Sequence, residues 1–330
     1  MTIRIELGER SYDVIIERGC MKKASDLLDL DRKVLIVTDT GVPEEYSGLI
    51  AKQCRDAYVV KIPQGEGSKN MTNLELLLRK MLEEGFTRSD CVTAVGGGMV
   101  GDLAGFAAAT YMRGIDFYNI PTTLLSQADS SIGGKTAVNL GGAKNIAGAF
   151  WQPKAVLIDT DSLKTLPKEQ IASGMAEIIK SGMIADAKLF EMTEKEDDVS
   201  FDEMLTRSLL VKKRVVEEDE REGGLRKILN FGHTIGHGIE SATGMLHGHA
   251  VALGMMLMCS DGARKRLTAA LEKAGLPIKA ECDKDAVYRA ALSDKKMKGG
   301  KVGAVWVDEP GTCGIKEFAP EELKKRIEML

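Results

Sequence analysis

The segment Cys91-Val92-Thr93-Ala94-Val95 is a short, almost wholly apolar run that passes without a linker into Gly96-Gly97-Gly98-Met99-Val100-Gly101-Asp102. Five residues are too few for a helix, and β-branched side chains dominate, so the run predicts a strand buried on both faces. Such strands belong to parallel sheets covered by helices. The glycines demand a tight turn, and the small and apolar residues after them continue as a helix. Lys33-Val34-Leu35-Ile36-Val37-Thr38-Asp39 and Ala57 to Ile62 repeat the strand pattern, and a helix is predicted at about Asn73 to Glu84. Ile3–Leu7 and Tyr12–Ile16 read as two strands around Gly8-Glu9-Arg10.

Glycine beside a helix N-terminus lets backbone N–H groups approach a pyrophosphate, because no side chain intervenes. Gly96-x-Gly98-x-x-Gly101 fits the dinucleotide pattern, with Asp116 at the spacing of a ribose-binding acid. On this segment alone two readings stand: a phosphate cradle, or a tight turn without ligand. Gln64-Gly65-Glu66-Gly67-Ser68-Lys69 follows another strand, and Pro121-Thr122-Thr123-Leu124 follows the short strand Phe117 to Ile120. Three polar loops at successive strand ends suit a crevice along the carboxyl edge of a parallel sheet.

The second half changes character. From Lys168 onward few β-rich runs occur, and Ile171–Ile184, Phe201–Glu220, Lys227–Ala242 and His249–Lys265 read as helices. Glu191 to Asp198 concentrates charge and reads as a solvated loop or helix end. A chain of 330 residues favours two domains. We place the boundary in Lys164-Thr165-Leu166-Pro167, giving an α/β domain with a parallel sheet at 1–167 and a mostly α-helical domain at 168–330.

A net charge of -4 offers no basic field for nucleic acid, and no apolar run is long enough to span a bilayer. Met1 to Glu6 lacks a signal-peptide core. The six cysteines, at 20, 54, 91, 259, 282 and 313, form no CxxC pair, so buried free thiols in a reducing cytosol are expected.

All four histidines fall between positions 233 and 249. His233 and His237 are spaced i, i+4 and share a helix face, and His247-Gly248-His249 opens the next helix. Imidazoles from two helices suit a divalent metal, and a catalytic metal commonly has three protein ligands. Glu177, in Ser173-Gly174-Met175-Ala176-Glu177-Ile178-Ile179-Lys180, is the candidate third. An acid and a lysine three apart in an apolar helix face the same way, and burying them without a role is costly. The other reading is a structural ion pair with helix-capping histidines. The spacing is not HExxH, which excludes the usual zinc-protease motif. Lys135, Lys144 and Arg113 stand beside glycines, and Arg226 precedes His233 by seven residues, about two helical turns. Together these cations suit a phosphate and a carboxylate.

These segments resemble the 3-dehydroquinate synthase family of sugar-phosphate cyclases. The resemblance runs through Gln64–Lys69, 96–115, 121–139, 142–145, 163–167, 174–182, 219–240, 247–255 and 294–296. It implies a nucleotide-binding α/β domain, a helical metal- and substrate-binding domain, a cytoplasmic homodimer, NAD, and zinc or cobalt held by Glu177, His233 and His247. NAD contacts would come from Asp39, Glu66, Lys69, Gly97, Gly98, Met99, Val100, Gly101, Asp102, Thr122, Thr123, Lys135, Lys144, Ser162, Leu163, Lys164 and Thr165. Catalytic and substrate contacts would come from Asp129, Lys135, Asn145, Lys180, Lys212, Glu222, Arg226, Asn230, His237, Lys295 and Lys296, with Arg113 directed to the partner subunit's site. The implied reaction turns 3-deoxy-D-arabino-heptulosonate 7-phosphate into 3-dehydroquinate by transient oxidation, β-elimination of phosphate, re-reduction and aldol closure. Two positions depart from the family pattern: His249 stands where glutamate is common, and Gly41 where some members carry a polar residue near the adenosine ribose. Alternatives to weigh are a sister cyclase of the 2-deoxy-scyllo-inosose or valiolone type, a metal-dependent alcohol or glycerol dehydrogenase, and a non-catalytic binding protein.

Overall fold

The computed structural model describes residues 1–195, 200–293 and 300–330. They group into two compact units, Met1–Leu166 and Pro167–Leu330. The expected contacts Lys295 and Lys296 lie outside the described residues, as does the 294–296 block.

In the first unit the elements are β1 (Thr2–Ile5), β2 (Tyr12–Ile16), α1 (Ala24–Leu27), β3 (Lys33–Asp39), α2 (Glu44–Ala51), β4 (Asp56–Ile62), α3 (Met71–Glu83), β5 (Cys91–Gly96), α4 (Gly98–Thr110), β6 (Asp116–Pro121), β7 (Lys135–Leu140), β8 (Ala143–Phe150) and β9 (Ala155–Ile158). Seven strands form one sheet in the order β1-β2-β9-β6-β5-β3-β4, parallel except for the β1–β2 pair. Alternation along β3 and β5 sends side chains to opposite faces. Leu35, Val37, Val92 and Ala94 pack with Leu74 and Leu77 of α3 and Val100 and Leu103 of α4. Val34, Ile36, Cys91 and Val95 pack with Tyr46 and Ile50 of α2 on the other side. Burial on both faces is why these strands read as continuous apolar runs.

Asp116 is corrected by this topology. It opens β6 in register with Cys91, whereas Gly96 pairs with Pro121 at the other end. It therefore lies at the amino edge of the sheet, where its carboxylate accepts a 2.7 Å hydrogen bond from Arg32. It is remote from the glycine turn and is not its ribose acid. The acid on the carboxyl edge is Asp39, which ends β3, the neighbour of β5.

The hairpin β7–β8 has no counterpart in the sequence reading. It is a separate two-stranded sheet packed against α4. A Cβ on Gly105 of α4 would meet Thr136 Cγ2 at 2.4 Å, so the close approach of α4 and β7 requires glycine there.

The second unit holds α5 (Lys168–Ala185), α6 (Ala187–Glu194), α7 (Phe201–Glu218), α8 (His233–Thr243), α9 (His247–Leu257), α10 (Asp261–Lys273), α11 (Lys284–Ser293), β10 (Val302–Trp306), β11 (Gly314–Phe318) and α12 (Pro320–Ile327). Two expectations are corrected. Lys227–Ala242 is not one helix: a 3-10 turn, Leu225–Asn230, ends at extended Phe231, and Gly232 at φ +79° reverses the chain before α8. Phe231 is thereby buried, and Arg226 does not sit two helical turns from His233. His249–Lys265 is likewise divided. Ser260 leaves the helix to donate its N–H to Val307 O at 2.9 Å, and its hydroxyl caps α10 by accepting from Ala263 N. Of the charged segment 191–198, Glu191–Glu194 forms the end of α6, as one of the two readings had it, and 196–198 lie outside the described residues; β10 and β11 form an antiparallel hairpin within the helical unit.

No helix among the described residues is long and apolar enough to cross a membrane.

Candidate active site

The glycine turn joins β5 to α4 at the carboxyl edge of the sheet. Its glycines meet two demands. A Cβ would come within 3.1 Å of Thr123 Cγ2 at Gly97, 2.7 Å of Ser130 Oγ at Gly98 and 3.0 Å of Asn119 Nδ2 at Gly101. A side chain at any of these places would therefore require Thr123, Ser130 or Asn119 to shift. In addition, Gly97 gives α4 no side-chain cap, whereas α3, α7 and α10 are capped by Asn70, Ser200 and Ser260. The first N–H groups of α4, from Gly98, Met99 and Val100, are thus left for an anion.

Polar groups from neighbouring strand ends surround that turn. Asp39 is nearly buried and accepts from Gly41 N at 2.7 Å. Burial pushes its carboxyl up, opposed by the amides of Gly41 and Val42. At Gly41 a Cβ would lie 2.3 Å from Gln64 Cδ, so the Gln64 carboxamide already fills the space of the missing side chain. Lys69 is buried and pairs with Asp102 at 2.7 Å and Glu66 at 3.5 Å. Burial drives the Asp102 carboxyl up to about 6 against the pull of Lys69, and Lys135 also acts on it electrostatically. Thr122 N donates to Gly96 O, and Thr123 Oγ1 accepts from Ser126 N.

Other expected residues have their own partners. Asp129 lies in the wide turn Ser126–Ser130 that follows β6. Ser162, Leu163, Lys164 and Thr165 form a 3-10 turn after β9. Ser162 Oγ accepts from Gln127 and donates to Asp159 O, Thr165 shares a hydrogen bond with Tyr46, and Lys164 pairs with Asp161 in solvent. Lys135, Lys144 and Asn145 are exposed on the β7–β8 hairpin. Arg113 is exposed after Met112, and both have positive φ.

In the second unit, glycine again sets the geometry. A Cβ on Gly248 would sit 2.0 Å from Ser173 O, and one on Gly254 would sit 2.0 Å from Gly232 O. α9 therefore packs backbone to backbone on α5 and on the start of α8. That contact brings Glu177 of α5, His233 of α8 and His247 of α9 together, with one ligand atom from each within 4.8 Å of the others. His233 Nε2 and His247 Nε2 lie 3.9 and 3.7 Å from Glu177 Oε1.

Both imidazoles are anchored from behind. His233 Nδ1 donates to Phe231 O at 3.1 Å, and His247 Nδ1 donates to Glu240 Oε2 at 3.0 Å. The protonated Nδ1 leaves the Nε2 lone pair aimed at the shared centre, as a metal ligand requires. Burial lowers the His233 ring well below its ordinary range, reinforced by Lys180, so it stands neutral. Burial also disfavours charge on His247, but Glu177 and Glu240 raise it to about 9. Burial favours a neutral Glu177, yet Lys180, paired with it, and His247 hold its carboxyl down at about 2. Apart from the ion pair of Oε2 with Lys180, the fully buried Glu177 carboxylate has no well-formed hydrogen-bond donor. A buried carboxylate so placed, facing two neutral-capable imidazoles, fits a divalent cation, whose bonds of ~2 Å set tetrahedral ligand atoms about 3.4 Å apart.

His237 lies one helical turn after His233, with ring centroids 5.2 Å apart. His249 is not in the three-residue group, and its Nε2 is buried without a hydrogen-bond partner. Lys212 and Arg226 are buried on elements packed against α5. Asp219 accepts from the backbone of Gly223, Gly224 and Arg226, folding the loop that carries Glu222, whose carboxylate accepts from Asn230 at 3.0 Å. Glu240 is a role that sequence reasoning missed; only its place in the block around the histidines marked it.

The chain matches the family descriptions 3-dehydroquinate synthase N-terminal over residues 59–173 and 3-dehydroquinate synthase C-terminal over 174–297. It is 42% identical to a 3-dehydroquinate synthase of Streptococcus pneumoniae (strain ATCC 700669 / Spain 23F-1), covering 98% of this chain and 99% of that one. Among solved structures, 2-epi-5-epi-valiolone synthase from Streptomyces hygroscopicus subsp. jinggangensis 5008, with NAD+ and Zn2+ bound, is 27% identical. Its TM-score is 0.89 over 98% of both chains. A 2-deoxy-scyllo-inosose synthase complexed with carbaglucose-6-phosphate, NAD+ and Co2+ shares the fold at TM-score 0.87 and 24% identity over the full length of both. The chain belongs to the 3-dehydroquinate synthase family.

Proposed function

We infer that the chain is an NAD- and divalent-metal-dependent 3-dehydroquinate synthase of the shikimate pathway, converting 3-deoxy-D-arabino-heptulosonate 7-phosphate to 3-dehydroquinate and phosphate. The observation that carries the reading is the Glu177–His233–His247 group, with its carboxylate fully buried, in a chain of this family. These three residues would hold zinc or cobalt. The uncapped N-terminus of α4, with Asp39, Glu66, Lys69, Asp102, Thr122 and Thr123 around it, would hold NAD. When bound, the nicotinamide supplies a reversible hydride acceptor and the metal a Lewis acid.

The chain's own residues supply the rest. His237, beside the two ligating histidines, takes the proton of the substrate alcohol at a ring nitrogen. Lys180, buried against Glu177, offsets negative charge that develops next to the metal ligands. In the first unit Lys135 and Asn145 would hold the phosphate that leaves, with Lys144 on the cofactor; in the second, Arg226 and Lys212 would hold anionic groups of the substrate. Asp129, Glu222 and Asn230 orient hydroxyls, and the 3-10 turn Ser162–Thr165 borders the cofactor.

The reading includes a cytoplasmic homodimer. Six free cysteines suit a reducing compartment, and exposed Leu140, Ile146 and Phe150 on the β7–β8 hairpin are apolar surface that a second copy would cover. Arg113 would then serve the partner's site.

The test is incubation with the heptulosonate phosphate, NAD and zinc or cobalt. Phosphate release should match 3-dehydroquinate formation without net NADH, and a chelator should abolish both. Net NADH from simple alcohols would favour a dehydrogenase, and phosphate release only from sugars lacking the carboxylate would favour a sister cyclase.

A further inference from the structure

β7 and β8 pair regularly from Lys135↔Phe150 to Val138↔Ala147, then resume at Leu140↔Ala143. Between those points Asn139 alone faces three residues of β8, namely Lys144, Asn145 and Ile146. A bulge of this kind re-aims the side chains of the longer strand. Asn139 fastens the irregular stretch in three directions. Its N–H donates to Lys69 O at 2.8 Å, its Nδ2 donates to Glu66 Oε1 at 2.9 Å, and its Oδ1 accepts from Asn145 N at 2.8 Å. Asn145 has φ +55°, the left-handed region that asparagine adopts more readily than other non-glycine residues. One carboxamide thus ties the loop bearing Glu66 and Lys69 to the strand bearing Lys144 and Asn145.

We propose that Asn139 is a positioning residue with two separable duties: its Nδ2 holds Glu66 in the cofactor loop, and its Oδ1 holds the Asn145 backbone in the phosphate-binding hairpin. This rests on the reading of Glu66 and Lys69 as NAD contacts and of Lys144 and Asn145 as NAD and phosphate contacts. In that reading Asn139 is itself a contact to neither ligand. Its side-chain bonds are of two kinds, donation from Nδ2 to Glu66 Oε1 and, at 3.4 Å, to Glu66 O, and acceptance by Oδ1 from the Asn145 amide, and the two kinds can be removed separately.

Asn139→Ala removes both and keeps the backbone bond to Lys69. The NAD Kd and the KM for the heptulosonate phosphate should each rise roughly tenfold or more, as expected for a lost hydrogen bond to a charged group. Asn139→Asp keeps the acceptor for Asn145 but sets a carboxylate against Glu66. It should weaken NAD at least as much as alanine while returning KM toward the wild-type value. A purely structural role would move both constants in step in the two variants, and that result, or unchanged constants in both, overturns the proposal. If the alanine variant does not fold, the NAD and KM split in Asn139→Asp decides alone. Amide exchange of the ligand-free protein gives a reading that needs no ligand: Asn145 N–H should exchange faster in Asn139→Ala, and unchanged exchange also overturns the proposal. Wild-type protein that binds no NAD would instead refute the proposed function, whatever the exchange result.

Discussion

Gly248→Ala puts one methyl group where the second unit has no room. The new Cβ would lie 2.0 Å from Ser173 O, against about 3.3 Å for an ordinary carbon–oxygen contact, so α9 and α5 must part by roughly 1.3 Å. Overpacking of this kind costs about 1–3 kcal/mol. The hydrogen bond from Gly248 N to Ser173 Oγ, 3.1 Å long, is strained at the same time and contributes about 1 kcal/mol. Alanine returns about 1 kcal/mol through its better helix propensity. The net loss is about 1–3 kcal/mol, or roughly 2–12 °C in the melting temperature of a unit this size. The functional effect is larger. His247 adjoins Gly248, and Glu177 is one turn from Ser173, so the parting acts on the 3.7 Å gap between His247 Nε2 and Glu177 Oε1. Zinc affinity, read by competition with a chromophoric chelator, should fall more than tenfold. Gly262→Ala is the matched control. It lies at the exposed start of α10, with nothing nearer its Cβ than Ser260 Oγ at 4.0 Å. It should stabilise by about 0.4–1 kcal/mol and leave zinc affinity alone. Equal stability and equal zinc affinity in Gly248→Ala and wild type would refute the claim that backbone contact assembles the three ligands.

Glu240→Ala removes the acceptor behind His247 Nδ1 and should weaken zinc by about 10–100-fold while the far-ultraviolet circular dichroism is unchanged. Asp102→Asn tests the pH dependence of stability. The folded carboxyl, at about 6, lies above its ordinary value of 3.8, so its contribution is full below pH ~4 and is lost as pH rises through 6. Urea midpoints of wild type should therefore fall relative to the variant between pH 4 and 6, and parallel curves would exclude the shift. The thiols of Cys20, Cys91 and Cys259 are fully buried, and burial pushes each up to about 12. Iodoacetamide at pH 8 should leave all three unlabelled in the native protein and label them in urea, as peptide mass spectrometry would read.

Sequence periodicity located the central sheet because β3 and β5 are buried on both faces, and only an unbroken apolar run can satisfy that environment. The Glu177–Lys180 spacing was legible for a related reason: a helix fixes which residues share a face, and a charged pair in an apolar stretch stands out. Asp116 misled because counting residues along the chain measures distance from the glycine turn but not which edge of the sheet the chain has reached. The division at Phe231–Gly232 was hidden because glycine also occurs within helices, as at Gly236 and Gly238 of α8. Nothing local separates those glycines from Gly232; Val251 and Met255, which a Cβ at Gly232 would strike, come from another helix.

The β7–β8 hairpin marks the limit of such reading. Much of β8 is exposed, so no alternation of apolar and polar residues records its strand character. What fixes its register is a set of contacts to α4 and to the Glu66–Lys69 loop, partners remote in sequence. Yet that hairpin carries Lys135, Lys144 and Asn145. The residue types that would suit a phosphate were therefore visible, while the strand pairing that places them was not. The means of aiming, a single asparagine facing three residues, has no periodic signature because it is a departure from the period.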